Sequence, residues 1–454
     1  MSDAATSGRS RPNERDISVF LTAYDPSDLP GGSVDPLGFE RGYLFLADKI
    51  LPGLTNAGSR PRYFGMLCAG THLADADPME PPQVQYRKRL DGVLRLERFW
   101  ALANVLATQE SPEELPLAGL RGVQYAKARA ETLAGKGKKD SDADFKMLAR
   151  QVPYGAIGIY GAVADGMRLL ERSTLMLTPD LGERLAEAFI RETSLPKSLS
   201  KAVREDGTVS LAVLNAWGHR AHLCGPPGPE EAVCLREALH QDPVRSRMAE
   251  VLNAHPPEDG NELARLQRIA HALENEGYHA DLREAIWAIL AYEECYRLAQ
   301  LGLERLLWLC RHLPASSITP DDLKEDEVLG WIGSRLPGAV GRLCHALDSA
   351  TTENFHHELC HLDDARQFLE QAVTACGDPW SLARAIMSRH ADVQHGKFDR
   401  GRRKMPWLEL VAGRISLTTT RVGGLNIEAT RPDHIPPHPY RLDSADALMK
   451  AAGA

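Results

Sequence analysis

Apolar positions along the chain recur mainly three or four residues apart, the spacing of helices with one buried face, and turn to alternation only near the end. A break at Leu51-Pro52-Gly53-Leu54-Thr55 precedes a helix predicted over 60–73. A Pro-rich interval from Asp77 to Pro82 leads into a second, over 84–107, where Val93, Leu94, Leu96, Phe99, Trp100, Leu102 and Val105 mark the apolar face. Periodicity is lost at 135–142, an expected exposed loop. The broadest apolar face lies over 282–313, carried by Ile286, Ile289, Leu290, Tyr296, Leu303, Leu306 and Leu307. Past Arg400, the runs 407–412 and 415–420, joined by Gly413-Arg414, predict a β-hairpin.

The pattern predicts a mainly α protein, a multi-helix bundle array with a candidate winged-helix unit and a small C-terminal α/β cap formed around the hairpin. The expected divisions are a flexible lead-in at 1–30, an N-terminal helical domain at 31–150, the winged-helix candidate at 151–200, a helical bundle at 201–385, and a C-terminal basic loop with hairpin at 386–454. The lead-in includes one short apolar run, 17–22. The winged-helix reading rests on a helix ending at Leu169-Leu170, a strand run at 174–178, and Thr178 placed to cap a second helix over 181–191. At 454 residues, more than one core is expected.

Hydrophobic residues at 43% and charged residues at 25% are the proportions of an ordinary globular protein. Lys and Arg number 53 against 62 Asp and Glu, a net charge of −9, which excludes a chain-wide positive field for nucleic acid. Any polyanion must then be met by a local patch. The eight cysteines form no CxxC pair, so reduced thiols are expected. A polar N-terminus without an apolar core, and no run of membrane-spanning length, predict a cytoplasmic protein without membrane contact.

Such a patch exists. Lys397, Arg400, Arg402, Arg403 and Lys404 gather around the single acid Asp399 just ahead of the predicted hairpin. Arg forks match phosphate oxygens, and Trp407 either supports a base or anchors the hairpin, so these five residues are the candidate contact for DNA or RNA. The competing account is a solvated loop neutralised by the protein's own carboxylates.

An enzymatic alternative rests on His357-Glu358-Leu359-Cys360-His361, an HExxH. On a helix His357 and His361 face one way and can bind Zn²⁺ while Glu358 activates the metal-bound water. No third ligand is evident, and Asp364 stands where a metzincin has Gly. No cofactor is expected on the first reading and zinc on the second. His219, His222, Cys224, Cys234 and His240 are ligand types at uneven spacing, better read as small core fillers and surface polar groups. Gly155, Gly158 and Gly161 lack a following Lys-Ser/Thr, so they are read as small residues for close helix packing and not as a phosphate loop. His395-Gly396-Lys397 begins an HxK motif, but Arg402 occupies the position of its Asp.

Several fragments together, "DPLG" at 35–38, "LADKILPGLTNAGSRPRYFGMLCAG" at 46–70, "LRLERFWALA" at 94–103, "GLRG" at 119–122, "GKFDRGRRKMPWLEL" and "HPYRL", carry a family likeness. The chain resembles a poorly characterised family of prokaryotic proteins associated with anti-phage defence and restriction islands. The resemblance implies a helical N-terminal region and middle, a small C-terminal α/β cap, and a role as a subunit or accessory factor beside helicases, nucleases or methyltransferases; a further alternative is a purely structural adaptor, in which neither the basic patch nor the HExxH matters and only helix faces are recognised by other subunits. It implies no catalytic residues. Within "PGLT…RPRY", Thr55 is placed to cap a helix that presents Arg60 and Arg62 early.

Overall fold

The computed structural model describes residues 35–74, 77–258, 262–274, 277–350, 359–399, 402–418 and 430–453. The expected lead-in at 1–30, with its apolar run, lies outside them. The described chain is mainly helical with small antiparallel sheets.

Asp35 opens the fold. Its carboxylate accepts from Phe39 N at 2.7 Å and Glu40 N at 3.0 Å, satisfying amides at the start of α1 (Glu40–Ile50). Thr55 Oγ1 accepts from Ala57 N at 3.3 Å and starts a 3₁₀ turn, Asn56–Ser59, which sets Arg60 just ahead of α2 (Arg62–His72). Thr55 therefore caps a short turn that precedes the expected helix. Pro82 begins α3 (Pro82–Glu110), where a missing N–H costs nothing. The two helices cross closely: a Cβ on Gly92 would stand 2.5 Å from Gly70 O, so only glycine permits the approach.

The next elements are α4 (Val123–Gly135), β1 (Asp140–Ser141), α5 (Gln151–Tyr154), α6 (Ala156–Gly166), β2 (Leu170–Glu171), β3 (Met176–Leu177), α7 (Gly182–Glu192), α8 (Lys197–Glu205) and β4 (Val209–Ser210). The loop expected at 135–142 ends in pairing, Asp140 with Ser210 and Ser141 with Val209. Within 151–200, β2 and β3 form a ribbon of two residues a strand, and Thr178 Oγ1 accepts from Gly182 N at 3.0 Å at the start of α7. Both α6 and α7 pack on α2. The outward positions of α7 are Glu183, Glu187 and Arg191.

The remaining elements are α9 (Leu211–Arg220), α10 (Pro229–Leu239), α11 (Pro243–Ala254), α12 (Glu262–Ala272), α13 (Ala280–His312), β5 (Ser317–Ile318), α14 (Pro320–Leu323), α15 (Glu327–Asp348), α16 (Asp363–Ala375), α17 (Pro379–His395), β6 (Phe398–Asp399), β7 (Arg402–Arg403), β8 (Leu408–Val411), β9 (Arg414–Leu417) and α18 (Leu442–Ala452). The central element is α13, which matches the helix predicted over 282–313 and packs against α1, α12, α15 and α17. The predicted hairpin is β8–β9. Its turn is Ala412-Gly413, both at positive φ, one residue earlier than expected. A third strand, β5, pairs Ser317 with Ser416 and Ile318 with Ile415, giving the order β5–β9–β8.

Buried hydrophobic side chains form one continuous cluster from Leu37 to Met449. All eight cysteines are free thiols. Among the described residues no helix is long and apolar enough to cross a membrane.

Arg245 ties several of these parts together. It is 1% exposed, and its guanidinium donates to Leu239 O (2.8 Å), Ala238 O (2.8 Å), Pro52 O (2.7 Å) and Gly166 O (3.2 Å). These are carbonyls near the ends of α10 and α6 and in the turn after α1. Arg245→Met keeps the volume but strands those acceptors, and is expected to destabilise the fold by on the order of 3 kcal/mol, measured as an earlier urea midpoint.

Candidate nucleic-acid interface

The basic segment is positioned by α17. Asp378 starts this helix, its carboxylate accepting from Trp380 N and Ser381 N. At the far end the helix holds the first described residues of the chain. Arg389 Nε donates to Leu37 O at 2.8 Å, and His390 Nδ1 donates to Pro36 O at 3.0 Å. His390 Nε2 accepts from Trp407 N at 2.9 Å, and the two rings lie 4.7 Å apart. One imidazole thus joins the DPLG turn to the strand hairpin, which requires the neutral ring with its proton on Nδ1. Burial agrees: His390 is fully enclosed, and desolvation pushes its pKa down to about 4.

Lys397 also belongs to this clasp. Its ammonium donates to the Asp35 carbonyl, and burial lowers its pKa. The expectation that all five cations face a ligand is therefore corrected, because Lys397 turns inward. Trp407, 3% exposed, is the anchor of the hairpin and not a platform for a base.

Beyond Lys397 the chain turns outward. β6 and β7 pair Phe398 with Arg403 and Asp399 with Arg402, and Lys404 N donates to Lys397 O at 2.9 Å. Arg400 lies outside the described residues, and Arg402 is placed in β7 by its backbone. Arg403 is exposed and Lys404 half-buried, and neither forms an ion pair among the described residues. Two apolar side chains flank them in solvent, Phe398 at 63% and Met405 at 69% exposure. Beside the ribbon runs a groove of about 750 Å³ between α17 and β8. Arg384, Ser388 and His395 line one wall and Met405, Pro406 and Leu410 the other, with Glu409 the one carboxylate of the lining. Sequence reasoning did not assign Phe398 or Arg384 to a site, and met His395 only in the HxK fragment. The signal for Arg384 and His395 was their spacing along one face of a single helix.

The HExxH falls differently. His357 and Glu358 lie outside the described residues. His361 ends a 3₁₀ turn, Leu359–His361, ahead of α16, so at this point the motif is not on an α-helix. Its Nδ1 accepts from Arg41 Nε at 3.0 Å, and its ring lies 5.5 Å from Phe45. Among the described residues no group of three or more His, Cys, Asp or Glu is placed to hold a metal. The second cluster is dispersed. His219 meets Glu110, His222 meets Thr108 and Cys224 N, His240 meets Ser246, and Cys234 is buried.

Comparison with family models, curated proteins and solved structures gives no match.

His390 makes the clasp pH-sensitive. The unfolded ring titrates near 6.5 and the folded ring near 4, so protons bind the unfolded chain first. Its contribution is fully present above pH 6.5 and is lost as the pH falls toward 4. Chemical denaturation is expected to show about 2 kcal/mol less stability from this group at pH 5 than at pH 7, a component absent from His390→Gln.

Proposed function

We propose that the protein is a non-enzymatic nucleic-acid-binding component of a bacterial anti-phage defence system, holding a polyanion on the β6–β7 ribbon and partner subunits on its helical surfaces. One observation carries the reading. Arg403 and Lys404 stand at the surface without ion-pair partners among the described residues, beside the solvent-facing ring of Phe398. Cations of this kind bind phosphate oxygens, and an exposed aromatic ring offers a face to an unpaired base, which favours a single strand. Arg384 and His395 extend the same surface along α17. The cellular setting rests on the motif resemblance alone. α7 takes no part, because its outward Glu183 and Glu187 would repel a phosphate backbone.

The test is fluorescence anisotropy with a labelled single-stranded oligonucleotide across a salt series, with duplex of the same sequence as comparison. Binding is expected to weaken steeply with salt, and Arg403→Ala with Lys404→Ala to reduce the log–log slope by about 1.4, roughly 0.7 for each single-strand phosphate that is no longer neutralised. Charge reversal at both positions is expected to abolish binding. An unchanged affinity in the reversed variant would remove the ribbon from the function.

A further inference from the structure

The loop predicted at 135–142 carries Lys136, Lys138 and Lys139, and its backbone is fixed. At the end of α4 the chain reverses through Gly137, at φ +61°, and main-chain donors take the last carbonyls of the helix. Lys136 N donates to Thr132 O at 3.2 Å, Gly137 N to Ala134 O at 3.0 Å and Lys138 N to Leu133 O at 2.9 Å. Lys139 O then accepts from Leu211 N at 2.8 Å, and Asp140 and Ser141 pair with β4. The lysine ammoniums are not needed to satisfy the helix end, and the points from which they leave the surface are set.

One flank of α4 continues this surface. The helix buries Ala126, Ala130 and Leu133. Tyr125, Arg129, Thr132 and Lys136 follow one another at alternating steps of four and three, a second face beside the buried one. The segment 142–146 lies along it. Arg129 Nη2 donates to Asp142 Oδ1 at 2.8 Å, its guanidinium lies 5.5 Å from the ring of Phe145, and Lys146 Nζ lies 5.9 Å from the ring centre of Tyr125. From Tyr125 to Lys136 the flank is about 16 Å long, at the helical rise of about 1.5 Å per residue.

Lys136, Lys138, Lys139 and Lys146 are all exposed, and none forms an ion pair among the described residues. Asp142 is held by Arg129, which leaves Asp140 and Asp144 as the exposed carboxylates against these four cations. The ammonium of Lys146 stands over the Tyr125 ring, so the flank has backbone-binding charge without a clear platform for an unpaired base. A duplex presents about one charge per 1.7 Å of its axis, twice the density of a single strand, and lysines hold phosphate oxygens as point charges. Among the described residues from 123 to 146, Tyr125 is the one exposed large apolar side chain, which is little to enter a lipid surface.

We propose that the end of α4, through Lys136, Lys138, Lys139 and Lys146, binds the phosphate backbone of a nucleic-acid duplex without reading its sequence. This second surface rests on the reading of the protein as a nucleic-acid-binding component, but it shares no residue with the ribbon.

The test is fluorescence anisotropy with a labelled duplex of arbitrary sequence across a salt series, using the full chain with Arg403→Glu and Lys404→Glu so that the ribbon no longer contributes. Duplex binding is expected to persist there and to weaken with salt. Adding Lys136→Ala, Lys138→Ala and Lys139→Ala is expected to lower the log–log slope by about 2.7, roughly 0.9 for each duplex phosphate that is no longer neutralised. With the ribbon intact, the same three substitutions are expected to leave the affinity for a single strand unchanged. An unchanged duplex slope in the lysine variant, or no duplex binding once the ribbon is reversed, would overturn the proposal and leave the ribbon reading standing. Equal loss of single-strand and duplex affinity, or lysine-dependent binding to phosphatidylserine vesicles in place of duplex, would overturn it as well. Absence of single-strand binding by the wild type would instead count against the ribbon alone.

Discussion

Glu293 is a carboxylate in the middle of the central helix, 1% exposed, and the end of the chain is arranged to satisfy it. His438 Nδ1 lies 2.6 Å and the Tyr440 hydroxyl 2.7 Å from Oε1, while His438 N donates to Oε2 at 3.2 Å. Tyr43 of α1 stacks on His438 at 4.7 Å. The next residue after Tyr440, Arg441, grips Asp48 and Leu51 O, and its amide donates to Asn56 Oδ1 at 3.1 Å. A buried carboxylate without donors costs several kcal/mol, so the chain cannot fold its central helix and leave this return undone. The return then carries α18 onto the 3₁₀ turn at Asn56–Ser59 and onto α10, where Arg236 donates to Ala452 O.

The same requirement fixes the basic ribbon. DPLG begins the described chain, and its carbonyls at Pro36 and Leu37 and the carbonyl of Asp35 are taken by His390, Arg389 and Lys397. Those bonds anchor Lys397 and, through His390, Trp407. Phe398, Arg403 and Met405 face solvent. Arg403 faces solvent, and holding its long side chain on a ligand costs rotamer entropy.

Elements with a long periodic face were legible in the sequence. The helices at α2, α3 and α13 lie within a few residues of where the pattern puts them, because each buries a continuous stripe and that stripe is a local property. The hairpin was legible too, through alternation and a turn containing Gly413. β5 was not. Two residues, Ser317 and Ile318, carry no period, and they are a strand only because β9 comes alongside from nearly a hundred positions later. The direction of Lys397 was illegible for the same reason: its acceptor, Asp35, is 362 residues away. Local charge counts the cations in a segment but not the distant acceptors that will claim them.

On the proposed reading, an acidic chain with so small a landing area for a polyanion would behave differently from a basic one. With a net charge of −9 the chain as a whole does not attract a phosphate backbone, and on the proposed reading attraction would be confined to within about a Debye length, roughly 8–10 Å, of the ribbon. Such a strand would be held at one end of the molecule while the helical faces stay clear of it. On that reading those faces would be left for protein partners, and occupancy of the ribbon would not compete with them.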